Sequence, residues 1–169
     1  MKGDLPPVLR PQKGPIAPPP EGPAPAAFGP PVAAHARLAG ARVLVVEDEA
    51  DAREFICALL EMAGATCLCA ASVAEAMYGV YHSFDPDVVL TDFSMPDADG
   101  FDLIREFRKA PSGRAVLVPI LVLSGHSGDR WRARALAAGA ADLIAKPFEP
   151  ALLITRIAAA VVTGRSGPH

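Results

Sequence analysis

From Arg42 onward the chain alternates between short apolar runs, rich in β-branched residues, and stretches whose apolar positions recur every three or four residues. The runs are RVLVV (42–46), TCLCA (66–70), DVVLT (87–91), VPILVL (118–123) and DLIA (142–145), the texture of strands buried on both faces. Helical stripes lie between them. Ala52, Phe55, Ile56, Leu59, Leu60 and Ala63 form the first, stopped by Gly64. Ser72-Val-Ala-Glu75 is a capping box that opens a second helix through Tyr81, closed off by Asp85-Pro86. Phe101, Ile104 and Phe107 stripe a third, ended by Pro111-Ser112-Gly113, and Trp131 to Ala138 form a fourth with Gly139 as its cap. A fifth runs from Pro150 to about Val162, with Leu153, Ile154, Ile157, Ala158 and Val161 on its inner side. Regular alternation of five strands and five helices predicts an α/β fold, a doubly wound parallel sheet covered on both faces.

Before Gly40 the texture is different: eleven of the eighteen prolines fall there, in text such as KGPIAPPPEGPAPAAFGPP. Missing N–H groups and fixed φ angles disfavour helix and ladder in such text. The expected division is a disordered proline-rich tail over 1–38, one domain over 39–163 and a short disordered C-terminal tail over 164–169. PPPEGP has the character of a segment that docks in an aromatic groove or serves as a solvated spacer. A net charge of −3 gives no general attraction to nucleic acid or to anionic membrane. The start carries no apolar leader, and no run of about 18 apolar residues could span a bilayer, so a cytoplasmic protein is expected. Cys57, Cys67 and Cys69 lack metal spacing and read as small buried hydrophobes in a reducing compartment.

Parallel sheets of this kind bind ligands just beyond the carboxyl ends of their strands. Those positions hold Glu47 and Asp48 after the first run, Asp92 after the third, Ser124 after the fourth and Lys146 after the fifth. Three clustered carboxylates repel one another unless a cation neutralises them, and oxygen-only donors suit a hard ion such as Mg²⁺. Direct ligation is expected from Asp48, the Asp92 carboxylate and the Ser94 carbonyl, with Glu47 acting through water. A carboxylate beside Mg²⁺ can attack phosphorus, while Lys146 and the Ser124 hydroxyl bind phosphoryl oxygens. In DFSMPDADG, Pro96 delays the next helix, Asp99 can cap it and Gly100 permits a tight turn.

VLVVEDE, VVLTDFSMPDADGFDLI, ILVLSG and AGAADLIAKPF resemble the receiver domain of two-component response regulators, over about Ala41 to Val162. The resemblance implies a flavodoxin-like sheet of strand order 2-1-3-4-5. It also implies that Asp92 accepts a phosphoryl group from a histidine kinase or phosphotransfer protein, with Mg²⁺ held by Glu47 and Asp48. By the same resemblance Ser124 and Lys146 bind the phosphoryl group, and the Lys146-Pro147 bond is cis. The protein would be no enzyme but a stand-alone switch that assists its own phosphorylation and dephosphorylation and signals through an unknown protein target. One position departs from the family pattern: Leu143 stands where an aromatic residue commonly relays the signal, and is read as core filler. A rival reading is a scaffold that acts through the proline-rich tail whatever the state of Asp92. A phosphohydrolase would want a second carboxylate two positions after Asp92, where Ser94 stands. His126 reads as a loop residue, and Trp131 with Arg130, Arg132 and Arg134 as a protein-docking or solvated face.

Overall fold

A computed structural model describes residues 37–82, 84–96, 98–109 and 118–165. The proline-rich segment up to residue 36, the Pro111-Ser112-Gly113 helix stop and the last four residues lie outside them. Five strands and five helices alternate: β1 (Arg42–Val46), α1 (Ala50–Met62), β2 (Thr66–Ala70), α2 (Val73–His82), β3 (Val88–Asp92), α3 (Gly100–Lys109), β4 (Ile120–Ser124), α4 (Asp129–Ala137), β5 (Asp142–Ala145) and α5 (Pro150–Arg165). All strand pairs are parallel, and the order is β2-β1-β3-β4-β5, the flavodoxin-like arrangement.

Because side chains alternate across a strand, each apolar run supplies both faces of the sheet. Leu44, Val46, Val89, Ile120 and Val122 pack with residues of α2, α3 and α4 such as Met77, Phe107 and Ala135. Val43, Val45, Val88, Leu90, Leu121 and Leu123 pack instead with Ile56 and Leu60 of α1 and with Leu153, Ile157 and Val161 of α5. Leu143 is buried with the first group, as core filler should be.

The caps follow the sequence signals. The Ser72 hydroxyl accepts from the Glu75 N–H at 3.2 Å, and the Glu75 carboxylate accepts from the Ala71 N–H at 2.7 Å. Asp99 and Asp102 make the same reciprocal arrangement at the start of α3, each carboxylate accepting the other's N–H at 2.9 and 3.0 Å.

Three expectations need correction. Ordered packing begins inside the stretch assigned to the N-terminal tail, since Leu38 is buried and its N–H donates to the Ala63 carbonyl. At the other end α5 continues through Gly164 and Arg165. At Gly164 a Cβ would lie 2.9 Å from Pro119 Cδ, so the missing side chain lets α5 approach the loop before β4. Finally, Cys57 and Cys69 form a disulfide joining α1 to β2, with Cα atoms 6.7 Å apart, instead of serving as free buried hydrophobes. Cys67 remains a thiol, and burial, helped by the charge of Glu61, pushes its pKa up to about 12.

Candidate functional site

The register of the sheet decides which residues meet. Asp92 pairs with Leu123 across β3 and β4, and Ser124 pairs with Ala145 across β4 and β5, so the carboxyl ends of three neighbouring strands stand level. Asp92 and Ser124 are the last residues of their strands, one position deeper than the sequence pattern suggests. They are consequently buried, at 6% and 1% exposure.

Glu47 follows β1 directly and is also buried. Its carboxylate, that of Asp92 and that of Asp48 bring oxygens within 4.8 Å of one another. Lys146 reaches into the cluster from the end of β5, its Nζ lying 2.8 Å from both Glu47 Oε2 and Asp92 Oδ1. Burial alone would lower the pKa of this ammonium, but hydrogen bonds and charge from Asp92 and Glu47 outweigh it and hold the group above the ordinary lysine value. Lys146 is therefore a cation throughout the physiological range. The peptide bond from Lys146 to Pro147 is cis.

Other contacts fix the cluster. The second oxygen of Asp92 accepts from the Ser94 N–H at 2.8 Å. The Ser124 carbonyl accepts from the Lys146 N–H at 2.7 Å, tying hydroxyl and ammonium to one ladder position. Gly100 lies against the same strand end, where a Cβ would be 3.0 Å from the Asp92 carbonyl oxygen and 3.3 Å from Phe93 Cα. Those neighbours are backbone and cannot swing aside, so the glycine is a packing requirement rather than only a turn former.

Arg53, on the first turn of α1, was not singled out by its sequence context. Its guanidinium donates to the Glu47 carbonyl at 2.8 Å and to the Asp48 carbonyl at 3.2 Å, clamping the loop that carries both acids. The only hint in the sequence is a cation six residues after an acid at a helix start, a commonplace pattern.

The donor set fits a hard divalent ion. Every candidate atom is oxygen, and the three carboxylates carry more negative charge than the single Lys146 ammonium returns. All the acids, the hydroxyl and the lysine picked out at the strand ends stand at this one edge of the sheet.

Comparison with known proteins identifies a family. The model of the family described as "Response regulator receiver domain" matches residues 43–158. The phosphate regulon transcriptional regulatory protein PhoB of Pseudomonas aeruginosa is 36% identical over 131 residues, 78% of this chain and 55% of that protein. PhoB of Escherichia coli is 35% identical over 118 residues, 70% of this chain and 50% of that protein. The chain thus spans about half the length of these curated relatives. Among solved structures, a putative response regulator from Chloroflexus aurantiacus superposes with a TM-score of 0.66 at 31% identity, covering 73% of this chain and 98% of that one. The chemotaxis response regulator CheY4 of Vibrio cholerae gives 0.66 at 27% identity, covering 72% and 98%.

Proposed function

Because the chain belongs to the receiver domain family of two-component response regulators, we propose that it is a phosphorylation-dependent switch whose acceptor is Asp92. The supporting observation is one ammonium, that of Lys146, held 2.8 Å from two buried carboxylates, Glu47 and Asp92, beside a third acid. A site built only for stability would match its charges; this one is left electron-rich, ready for a cation and an electrophile.

In the proposed reaction a carboxylate oxygen of Asp92 forms a bond to phosphorus of a phosphohistidine on a histidine kinase or phosphotransfer protein. The P–N bond breaks and its electron pair stays on the imidazole. Asp48, Asp92 and the Ser94 carbonyl would hold Mg²⁺, with Glu47 acting through water. When bound, the ion neutralises charge on the carboxylates and on the transferring phosphoryl oxygens. Lys146 exchanges its contact with Asp92 for one to a phosphoryl oxygen, and the Ser124 hydroxyl donates to another. Arg53 keeps the acid-bearing loop in place without touching the phosphoryl group. The added charge favours the arrangement in which Ser124 and Lys146 both engage it, so phosphorylation shifts a population between two states read by a protein partner.

The test is incubation with Mg²⁺ and a small phosphodonor such as acetyl phosphate, read by intact mass. One phosphoryl group is expected on the wild type, with none when Mg²⁺ is chelated and none in Asp92→Asn. Label persisting unchanged in Asp92→Asn contradicts the proposal.

A further inference from the structure

β5 offers no ring to carry a signal away from the site, since Leu143 is an aliphatic residue fixed in the core. Rings do converge next to the site on another element. Phe93, covalently adjacent to Asp92, meets Trp131 of α4 edge-on at 5.4 Å and His126 at 6.1 Å between centroids. The imidazole of His126 lies 4.4 Å from the Trp131 ring, and the Arg134 guanidinium covers Trp131 at 4.6 Å.

His126 is also tied to the phosphoryl-binding hydroxyl proposed above. Its N–H donates to Ser124 Oγ at 2.9 Å. A hydroxyl accepts on its lone pairs while donating its proton, so Ser124 can turn its O–H toward a phosphoryl oxygen and keep the His126 N–H as partner. The carbonyl of Ser124 stays pinned to Lys146 N, which leaves the residues that follow it to absorb the movement. They are suited to do so: Gly125 and Gly128 bracket His126 and Ser127, a Cβ on either glycine would meet nothing within 4 Å, and the whole stretch is exposed. The Gly128 carbonyl then accepts from the N–H groups of Trp131 and Arg132, making it the first link of α4. α4 buries Ala135 and is held to β5 by Arg132, whose Nη1 lies 2.7 Å from Asp142 Oδ1, so a shift of its first turn is one that β5 also feels.

We propose that the His126 ring, packed on Trp131 at the exposed edge of the Phe93–Trp131 pair, is a positioning element that carries the state of Asp92 and Ser124 to α4, an inference resting on Asp92 being the phosphoacceptor. Movement of Ser124 Oγ draws the His126 backbone with it, and the ring transmits that displacement to Trp131 and the first turn of α4. Packing does this work, so any flat ring at position 126 should serve and a methyl group should not.

Trp131 is the sole tryptophan, so its emission reports directly on the relay. The wild-type chain, His126→Ala and His126→Phe are treated with Mg²⁺ and acetyl phosphate. Intact mass gives the occupancy of Asp92 in the same samples, and amide exchange follows residues 129–137. In wild type, emission and α4 exchange should change in step with occupancy. His126→Ala should be phosphorylated to the same extent yet lose more than half of both responses, and His126→Phe should restore them. Phosphorylated wild type with unchanged Trp131 emission, a full response in His126→Ala, or a His126→Phe that behaves like His126→Ala overturns the relay. Absence of mass increase on wild type instead strikes at the phosphoacceptor reading beneath it.

Discussion

β3 is bounded by two aspartates, and they live in opposite circumstances. Asp87, just before the strand, accepts from the Arg42 N–H at 2.8 Å and from the Arg165 guanidinium at 2.9 and 3.2 Å. Partial burial raises its pKa, but those hydrogen bonds and the two arginine charges win, and the carboxyl sits below its ordinary value. Asp92, at the far end, shares a single ammonium with Glu47 and has Asp48 nearby. The same side chain has arginine partners of its own at one end of the strand and at the other shares one ammonium with a second buried acid. Proteins tolerate such mismatch where function needs it and offset it elsewhere.

The largest expected effect comes from a brace that belongs to neither end. The Cys57–Cys69 disulfide spans 12 positions, and constraining a loop of that size stabilises a fold by about 3 kcal/mol. Reduction should lower the unfolding free energy by about that much in denaturant titrations. Phosphoryl uptake by the molecules that remain folded should be unchanged, because neither cysteine touches the carboxyl-edge cluster. If reduction instead abolished uptake while the protein stayed folded, α1 would have to be counted as part of the site through Arg53.

Neither the disulfide nor Arg53 could be read in the sequence. Cys57 sits on a helix and Cys69 on the following strand, and only the packing of α1 on β2 brings them together. Arg53 acts on backbone carbonyls, groups that every residue carries and that leave no mark in a sequence. By contrast the strands and the acids at their ends were plain, since burial on both faces demands unbroken apolar runs and the first polar residue after each run marks the sheet edge. The ends of the domain are not legible in the same way, because Leu38 resembles the tail it follows and because the close approach of Gly164 to Pro119 leaves no local pattern. His126 read as an ordinary exposed loop residue. It is exposed, but its ring contacts depend on where α4 begins, which no local pattern specifies.

Removing the matched charge at the amino end of β3 should cost less than the disulfide. Asp87→Asn loses charge-assisted hydrogen bonds worth about 1.5 to 3 kcal/mol in full, reduced by solvent access to about 1 to 2 kcal/mol. The sign with pH is fixed by the lowered pKa. The stabilisation is present above the ordinary aspartate value of about 3.9 and disappears as pH falls through the lowered folded value. Wild type should therefore lose stability on the acid side faster than Asp87→Asn, and the two should converge there. Parallel acid limbs would mean that the Arg165 clasp contributes nothing.

At the carboxyl end of the same strand, Asp92→Asn should have the smallest effect and the opposite sign. Neutralising Asp92 removes one of two buried like charges and leaves Lys146 and Glu47 as a matched pair. The cost is one of two acceptors: the amide oxygen of Asn can still accept from the Ser94 N–H, but the contact with Lys146 is lost, and Lys146 keeps Glu47. The balance in Mg²⁺-free buffer is a gain of up to about 1 kcal/mol, the kind of gain that follows when a functional site is relieved of its strain. Added Mg²⁺ should then stabilise wild type more than the variant, because only wild type retains the full acid cluster. A loss in Asp92→Asn as large as that in Asp87→Asn would erase the distinction between the two ends of β3, and with it the claim that the proposed phosphoacceptor edge is held together against its own charge.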